Sequence, residues 1–273
     1  MRYEVNNKNN KIGFSTYFTF GLREEWISAL LELGEKFFPW HDPHPLGKKM
    51  VPSASAWFAQ ALLVEEKNHK VLPLIEIFKK QGVSSPLGWD LIWIALANNA
   101  VLIKWFVSET EIDHAYTLED IAEMLLHSYP SLSKTSKEDG RDALRDLLTK
   151  SPFGSERAIA TLVKKGNRVQ SITRHAKDVH PLIILYGLYL NANLANRGNF
   201  IVRELLTADA EATFISPLVA FGIAPDTFKK QCEGLRTKYP DYISTTFTHG
   251  NDGLEVFPQK YSLEDIIELA LGE

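Results

Sequence analysis

The segment from Pro86 to Val107 reads PLGWDLIWIALANNAVLIKWFV, and its only charged residues are Asp90 and Lys104. A helix at a protein surface keeps one polar face, whereas a helix that is apolar on all sides is buried. The segment also contains three tryptophans, Trp89, Trp93 and Trp105. These large aromatic side chains are more typical of a core than of a ligand-binding pocket. The segment therefore predicts a buried central helix that holds smaller units together.

The residues upstream of this segment predict a helix, a loop, a second helix and a hairpin. Apolar residues recur near a 3.6-residue period over 22–38, and the three prolines of 39–45 must interrupt that helix. A second helical face runs over 51–63 and has Pro52 in its first turn. The stretch 63–73 then carries two short apolar runs around a polar tip. This order is that of a winged helix-turn-helix, whose second helix can enter a DNA major groove.

The residues downstream continue the alternation of helices and hairpins. Thr117 to Asp120 predicts a capped helix start, and Ser136 or a polar neighbour is expected to cap the helix that follows. Two β-rich runs flank the glycine-containing turn 249–253, which makes this the clearest hairpin in the sequence. Further helices are predicted at 118–127, 136–149, 179–195, 199–206, 225–238 and 262–271.

These elements predict a fold that is mainly α with small β-hairpins, an α+β class built from tandem winged-helix-like units around the central helix. At 273 residues the chain favours two or three compact units over one. The predicted boundaries give an N-terminal winged-helix unit with the central helix over 1–110, a helical middle unit over 111–178, and a C-terminal winged-helix-like unit over 179–273.

Composition restricts where the protein works and what it contacts. Cys232 is the only cysteine, which is typical of a reducing compartment, and we expect a cytoplasmic protein. The sequence shows no export signal, and its longest apolar runs are too short for a membrane span, so no membrane partner is expected. The net charge of −4 argues against a protein that coats nucleic acid non-specifically. Any contact with DNA must therefore be local.

Two groups of residues are candidates for contact with double-stranded DNA. Lys48 and Lys49 lie at the start of the predicted recognition helix, where phosphates can bind, and Ser53 follows within it. That helix has no arginine for bidentate contacts with guanine, so it favours backbone or shape recognition. The more basic group contains Arg157, Lys164, Lys165, Arg168, Arg174 and Lys177. A solvated turn explains Lys48 and Lys49 about equally well. For the second group the alternatives are a solvated helical face and a surface for an acidic partner protein.

The sequence provides no catalytic signature, and we expect neither an enzyme nor a cofactor. The loop His41-Asp42-Pro43-His44 has ligand types but no complementary pair at a recognisable spacing, so no metal site is predicted. Cys232 falls on the inward face of its helix and is expected to be a core residue rather than a nucleophile. Acidic residues are spaced as solvated helical faces, which leaves a nuclease without specific support.

The opening run Phe14 to Arg23, followed by Trp26, resembles the start of a bacterial family known as domain of unknown function 4007, which typically has a phenylalanine-serine-glycine-histidine-glutamate-threonine-phenylalanine run. This chain has Thr16, Tyr17 and Phe18 where the family has glycine, histidine and glutamate. Further matches are Gly47 to Val51 with Trp57, Trp89 to Trp105, Lys134-Thr135 with Asp142, and the pattern of Leu205, Phe214, Phe228 and Leu235.

The resemblance implies a protein encoded beside sulfur-transfer enzymes that resemble phosphoadenosine-phosphosulfate (PAPS) reductases, in systems for DNA phosphorothioate modification and phage defence. Together with the local cations, it leads to the hypothesis of a non-catalytic, DNA-binding accessory subunit. The alternative is a scaffold that docks the PAPS-reductase-like enzyme through its winged-helix units. The acidic net charge and the few base-reading side chains favour this alternative.

Overall fold

The computed structural model describes residues 14–155, 159–248 and 252–273. It contains mainly helices and two small antiparallel sheets of three strands, so the predicted α+β class is confirmed. The helices are α1 (Glu24–Leu33), α2 (Met50–Gln60), α3 (Ile75–Gln81), α4 (Pro86–Asn99), α5 (Val101–Glu109), α6 (Leu118–Ser128), α7 (Lys134–Lys150), α8 (Pro181–Ala195), α9 (Val202–Leu205), α10 (Pro217–Phe221), α11 (Pro225–Lys238) and α12 (Leu263–Gly272). The strands are β1 (Ala115–Thr117), β2 (Ala160–Lys165), β3 (Arg168–Arg174), β4 (Asn199–Ile201), β5 (Ile243–Thr246) and β6 (Gly253–Val256).

Helices α4 and α8 form the centre of the molecule and are buried along most of their length. They pack closely at Gly187, where an added Cβ would lie 3.0 Å from Ile94 Cγ1 and 2.5 Å from Pro217 Cγ. The Trp93 indole N–H donates to the Ala220 carbonyl at 2.9 Å, which joins α4 to α10. The buried apolar residues around this pair form one continuous cluster that extends from the N-terminal helices to α12.

The single central helix predicted from the sequence is wrong in one respect, because the chain breaks it at Ala100. That residue has extended dihedrals, and α4 and α5 meet at an angle of 93°. Two amide side chains before the break bind backbone from other segments. Asn98 donates to the Ile215 carbonyl and accepts from the Ile215 N–H, while Asn99 donates to the Gln60 carbonyl. These tertiary hydrogen bonds fix the chain on either side of the break, and Asn98 also donates to the Ile94 carbonyl of its own helix at 2.9 Å, a local contact of the kind that bends helices.

No single helix in the described ranges is long and apolar enough to cross a membrane. The bent pair of α4 and α5 would meet the length and composition requirements only if both helices were taken together.

The first sheet lies in the middle of the chain and has the strand order β1-β3-β2. The elements around it follow the order α5, β1, α6, α7, β2, β3. Thr117 and Asp120 form the expected reciprocal cap at the start of α6. The cap of α7 is Ser133, a polar neighbour of Ser136 as the sequence allowed, and its hydroxyl accepts from the Ser136 N–H at 3.1 Å.

The second sheet has the strand order β4-β6-β5, and its β5 and β6 confirm the hairpin predicted near the C-terminus. Residues 249–251 of the predicted turn lie outside the described residues. The helix expected over 199–206 begins instead as strand β4, because Phe200 pairs with Leu254 of β6, and only 202–205 are helical. A local apolar period cannot reveal such a distant strand partner.

The N-terminal hairpin predicted over 63–73 is present in a minimal form. Val64 and Val71 make an antiparallel bridge, and on either side of it the Glu65 N–H donates to the Lys70 carbonyl at 2.8 Å and the Leu72 N–H donates to the Leu63 carbonyl at 2.9 Å. Leu63 and Val64 are buried against the core. Within the described residues this pairing is too short to count as two strands, and the longer ribbons belong to the middle and C-terminal thirds.

The contact at Gly187 makes a direct test of the central packing. Gly187→Ala places a methyl group against Ile94 and Pro217, and overpacking of this kind should reduce the free energy of unfolding by about 1–3 kcal/mol. Denaturant unfolding measures the change. Asn193→Ala, at an exposed position of the same helix, is the control and should change stability by less than about 0.5 kcal/mol. Equal effects of the two variants would contradict the packing account.

Candidate nucleic-acid interface

The ribbon formed by β2 and β3 is an exposed basic feature of the described chain. The two strands pair antiparallel up to Lys165 and Arg168, with an irregularity in register at Val163 and Lys164. Gly166 closes the turn with a φ of +60°, a conformation that favours glycine. Lys164, Lys165 and Arg168 are all exposed at this tip. Among the described residues none of the three takes part in an ion pair, so their charges face solvent.

Arg174 ends β3 at the base of the ribbon and is not available to DNA. It is 6% exposed, and its guanidinium donates to the Val219 carbonyl at 3.1 Å and the Thr110 carbonyl at 2.7 Å. Burial lowers the pKa of Arg174 to about 10. The sequence pattern placed this cation on a phosphate-binding surface, but its donors anchor the ribbon to α10 and to Thr110, the residue after α5.

Lys177 is also used inside the protein, since its ammonium group pairs with Asp90 of α4. Asp90 is 5% exposed, and its burial raises the pKa of the carboxyl, while the charge of Lys177 acts in the opposite direction. If the Lys177 ammonium moved to a phosphate, the buried Asp90 carboxylate would be left without a compensating charge. Lys177, like Arg174, therefore does not belong to the candidate interface.

The N-terminal candidate residues, Lys48, Lys49 and Ser53, differ in their exposure to solvent. Lys48 and Lys49 are exposed just before α2, and the Lys48 ammonium lies 6.0 Å from the centre of the Trp40 ring. Ser53 is fully buried, and its hydroxyl donates to the Tyr17 carbonyl at 2.9 Å. Its side chain therefore cannot reach DNA in this conformation. Arg157, the remaining candidate from the sequence, lies outside the described residues.

Helix α7, which precedes the ribbon, is covered by the N-terminal segment. Asp146 accepts from the Gly21 N–H at 2.8 Å and pairs with Arg23 at 2.6 Å. Phe14 packs over Gly140, where an added Cβ would lie 2.6 Å from Phe14 Cδ2. These contacts cover one face of α7. The ribbon is therefore exposed at its tip, whereas the helix that precedes it is exposed only on its other faces.

A cleft of about 960 Å³ lies at the root of the ribbon, and several of its polar groups were not singled out by sequence reasoning. With Nδ1 protonated, His175 donates to Asp113 at 2.6 Å, and its Nε2 accepts from the Thr161 hydroxyl at 2.8 Å. Asp113 has a positive φ of +61°, held by its N–H donating to the Arg174 carbonyl. Across the cleft, His180 Nε2 lies 3.0 Å from a Glu273 carboxylate oxygen.

No spacing in the sequence connects Asp113, Thr161 and His175, because Asp113 enters from the loop before β1 and Thr161 from β2. Only the pairing of β2 with β3 brings Thr161 beside His175, which follows β3. Within the described ranges, no group of three or more histidine, cysteine, aspartate or glutamate side chains is arranged to hold a metal ion. Cys232 is buried, as expected for a core residue, and burial raises the pKa of its thiol to about 12.

The pair of Asp90 and Lys177 predicts a pH-dependent stability. Because burial raises the folded pKa of Asp90 above its unfolded value, the folded carboxyl holds a proton more strongly, and this group lowers stability as the pH rises between the two pKa values. Lys177→Met removes the opposing charge and raises the pKa further. The variant should therefore lose about 3–5 kcal/mol of unfolding free energy at pH 7, and clearly less near pH 4.

Denaturant titrations at several pH values measure this effect. The double variant Asp90→Asn, Lys177→Met removes both charges and should recover most of the stability at pH 7. An equal effect of Lys177→Met at every pH would contradict the charge-based explanation.

No family model matches the chain, and no curated protein matches it either. Two solved structures have a similar fold. One is described as the SspB crystal structure, with 17% sequence identity, a TM-score of 0.68, and coverage of 95% of this chain and 88% of that chain. The other is a magnesium ion-bound SspB crystal structure, with 14% identity, a TM-score of 0.67 and the same coverage. At these identities the likeness is one of fold: the chain shares the architecture of SspB over nearly its whole length.

Proposed function

We propose that this protein is a DNA-binding accessory subunit of a DNA phosphorothioate modification or phage-defence system and has no catalytic activity of its own. The observation that carries the DNA-binding part is the β2–β3 ribbon, whose tip exposes Lys164, Lys165 and Arg168 without ion-pair partners among the described residues. Exposed cations without ion-pair partners can neutralise phosphates and release the counterions of the duplex, and this release is a main source of affinity for DNA.

The element order around the ribbon supports the same function. A helix, a strand, two helices and a two-stranded ribbon follow one another from α5 to β3, and β3 lies between β1 and β2. This is the order expected of a winged helix, in which the ribbon is the wing. A wing that carries cations at its tip contacts the sugar-phosphate backbone and positions the protein without reading bases.

The acidic net charge of −4 is compatible with this proposal because the field that a duplex meets is local. Screening limits the reach of distant carboxylates to about one Debye length, or roughly 8 Å at physiological ionic strength. The ribbon tip, residues 163–168, contains three positive charges and no acidic residue. Affinity should consequently be modest and strongly dependent on salt.

The phosphorothioation setting rests on two supports. The motifs of the sequence resemble a family found in such gene clusters, and the SspB neighbours fit a phosphorothioation-system protein. We further propose that a PAPS-reductase-like sulfur-transfer enzyme is a partner within that system.

Charge reversal at the ribbon tip tests DNA binding. The triple variant Lys164→Glu, Lys165→Glu, Arg168→Glu should bind duplex DNA at least about 10-fold more weakly at low salt, whatever the sequence. The slope of log affinity against log salt should become shallower by about 1 for every phosphate that the variant no longer neutralises. Fluorescence anisotropy with modified and unmodified duplexes measures both quantities. Lys67→Glu, an exposed lysine on the loop after α2, is the control and should bind like the parent protein.

The alternative function is a scaffold that docks the sulfur-transfer enzyme. The observation that favours it is Val163, which is 56% exposed on the same ribbon, because an exposed apolar side chain suits a protein partner better than a phosphate backbone. If the parent protein binds neither duplex at low salt, DNA binding is wrong, and a pull-down with the sulfur-transfer enzyme and a Val163→Asp variant becomes the deciding measurement.

The absence of catalysis is tested at the cleft beside the ribbon. We expect the parent protein to leave supercoiled plasmid intact in the presence of Mg²⁺, because the sequence carries no catalytic signature. Agarose-gel analysis of the plasmid measures this. Mg²⁺-dependent nicking that disappears in His175→Ala, whose imidazole has the partners of a general base, would overturn the non-catalytic proposal.

A further inference from the structure

The C-terminal third repeats the element order of the middle third. Helix α8, strand β4, short helices, helix α11 and the ribbon β5–β6 follow one another, and the strand order β4-β6-β5 matches β1-β3-β2. In both units one helix directly precedes the ribbon, and these helices are α7 and α11. In a winged helix this is the helix that can enter the major groove.

The two equivalent helices differ in what covers them. The N-terminal segment occupies one face of α7 through Phe14, Gly21 and Arg23. Helix α11 buries Phe228, Cys232 and Leu235 on its inner side, where it packs on α8 and β5. Its outer face is open and carries, at helical spacing, Thr227, Lys230, Gly234 and Thr237, all of them exposed.

Only some of the charged side chains of α11 take part in ion pairs. Lys229 pairs with Asp252 at 2.6 Å and Lys238 pairs with Glu273. Lys230 has no ion-pair or hydrogen-bond partner in the described part of the chain, and its ammonium is free to act as a donor. Glu233 borders the same face. A lysine and a glutamate on one open face match the acceptors of guanine and the amine of cytosine in a major groove.

Gly234 is the least expected residue of this helix. It lies in the helix interior, where glycine is less favourable than alanine, and a Cβ added there would meet no atom within 4 Å. Its φ is not positive, so neither the backbone nor the packing of this protein requires glycine at this position. Because glycine has no Cβ, a surface from outside the chain can approach the helix closely at this position.

We infer that the outer face of α11 is a second DNA-binding site, which enters the major groove of the duplex while the β2–β3 ribbon contacts phosphates. Gly234 lets the groove wall approach the helix, and Lys230 donates to base edges or phosphates beside it. The inference rests on the proposed DNA-binding function and adds the surface that provides its sequence preference.

The test uses the full chain and duplex DNA in anisotropy titrations, together with thermal unfolding. Gly234→Leu should raise the melting temperature by about 2 °C through helix propensity, yet bind duplex DNA at least about 5-fold more weakly, because the side chain fills the space of approach. A structural role alone would not make a more stable variant bind less well. Lys230→Ala should also weaken binding at least about 5-fold while leaving the melting temperature nearly unchanged.

Gly272→Leu is the matched control, because Gly272 is another exposed helical glycine with no atom near an added Cβ. It should bind DNA like the parent protein. If the ribbon variant weakens binding while Gly234→Leu and Lys230→Ala bind like the parent, the role of α11 is wrong and the proposed function stands. If the parent protein does not bind duplex DNA at all, both are wrong.

Discussion

The close packing of α4 against α8 is the contact on which the other elements depend. Both helices are apolar around most of their circumference and buried along most of their length, so most of each surface must be covered by other parts of the chain. Because Gly187 has no side chain, Ile94 and Pro217 pack directly against the backbone of α8, which brings the two helices and α10 together. The helices α2, α3, α5, α10, α11 and α12 pack against this pair, and the residues of the ribbon tip are exposed outside that packing.

The segment from the last residue of β3 to the start of α8 joins the middle third to the last third by polar contacts to several elements. Arg174 binds carbonyls of α10 and of the residue after α5, Lys177 neutralises Asp90 of α4, and His180 reaches Glu273 beyond α12. A buried ion pair contributes little net stability, but removal of one partner leaves the other charge unpaired. Arg174 and Lys177 are therefore held inside the protein, whereas the cations of the ribbon tip remain free to bind a partner.

The two units have the same strand order and different exposed surfaces. In the middle third the ribbon is open and one face of its preceding helix is covered, whereas in the last third the helix α11 is open along a face that includes Gly234. The fold shared with SspB spans both units.

The sequence by itself determined the elements whose signal is local. The apolar period over 225–238 and the capping residues Thr117 and Asp120 matched observed elements, since such signals depend on neighbours within a few residues. Tertiary structure decided the rest. The break at Ala100 depends on a hydrogen bond to a residue more than a hundred positions away, and strand β4 depends on β6. The sequence likewise could not show which cations are free and which are paired. Arg174 and Lys164 have the same charge, and only the fold places Arg174 against buried carbonyls and Lys164 in solvent.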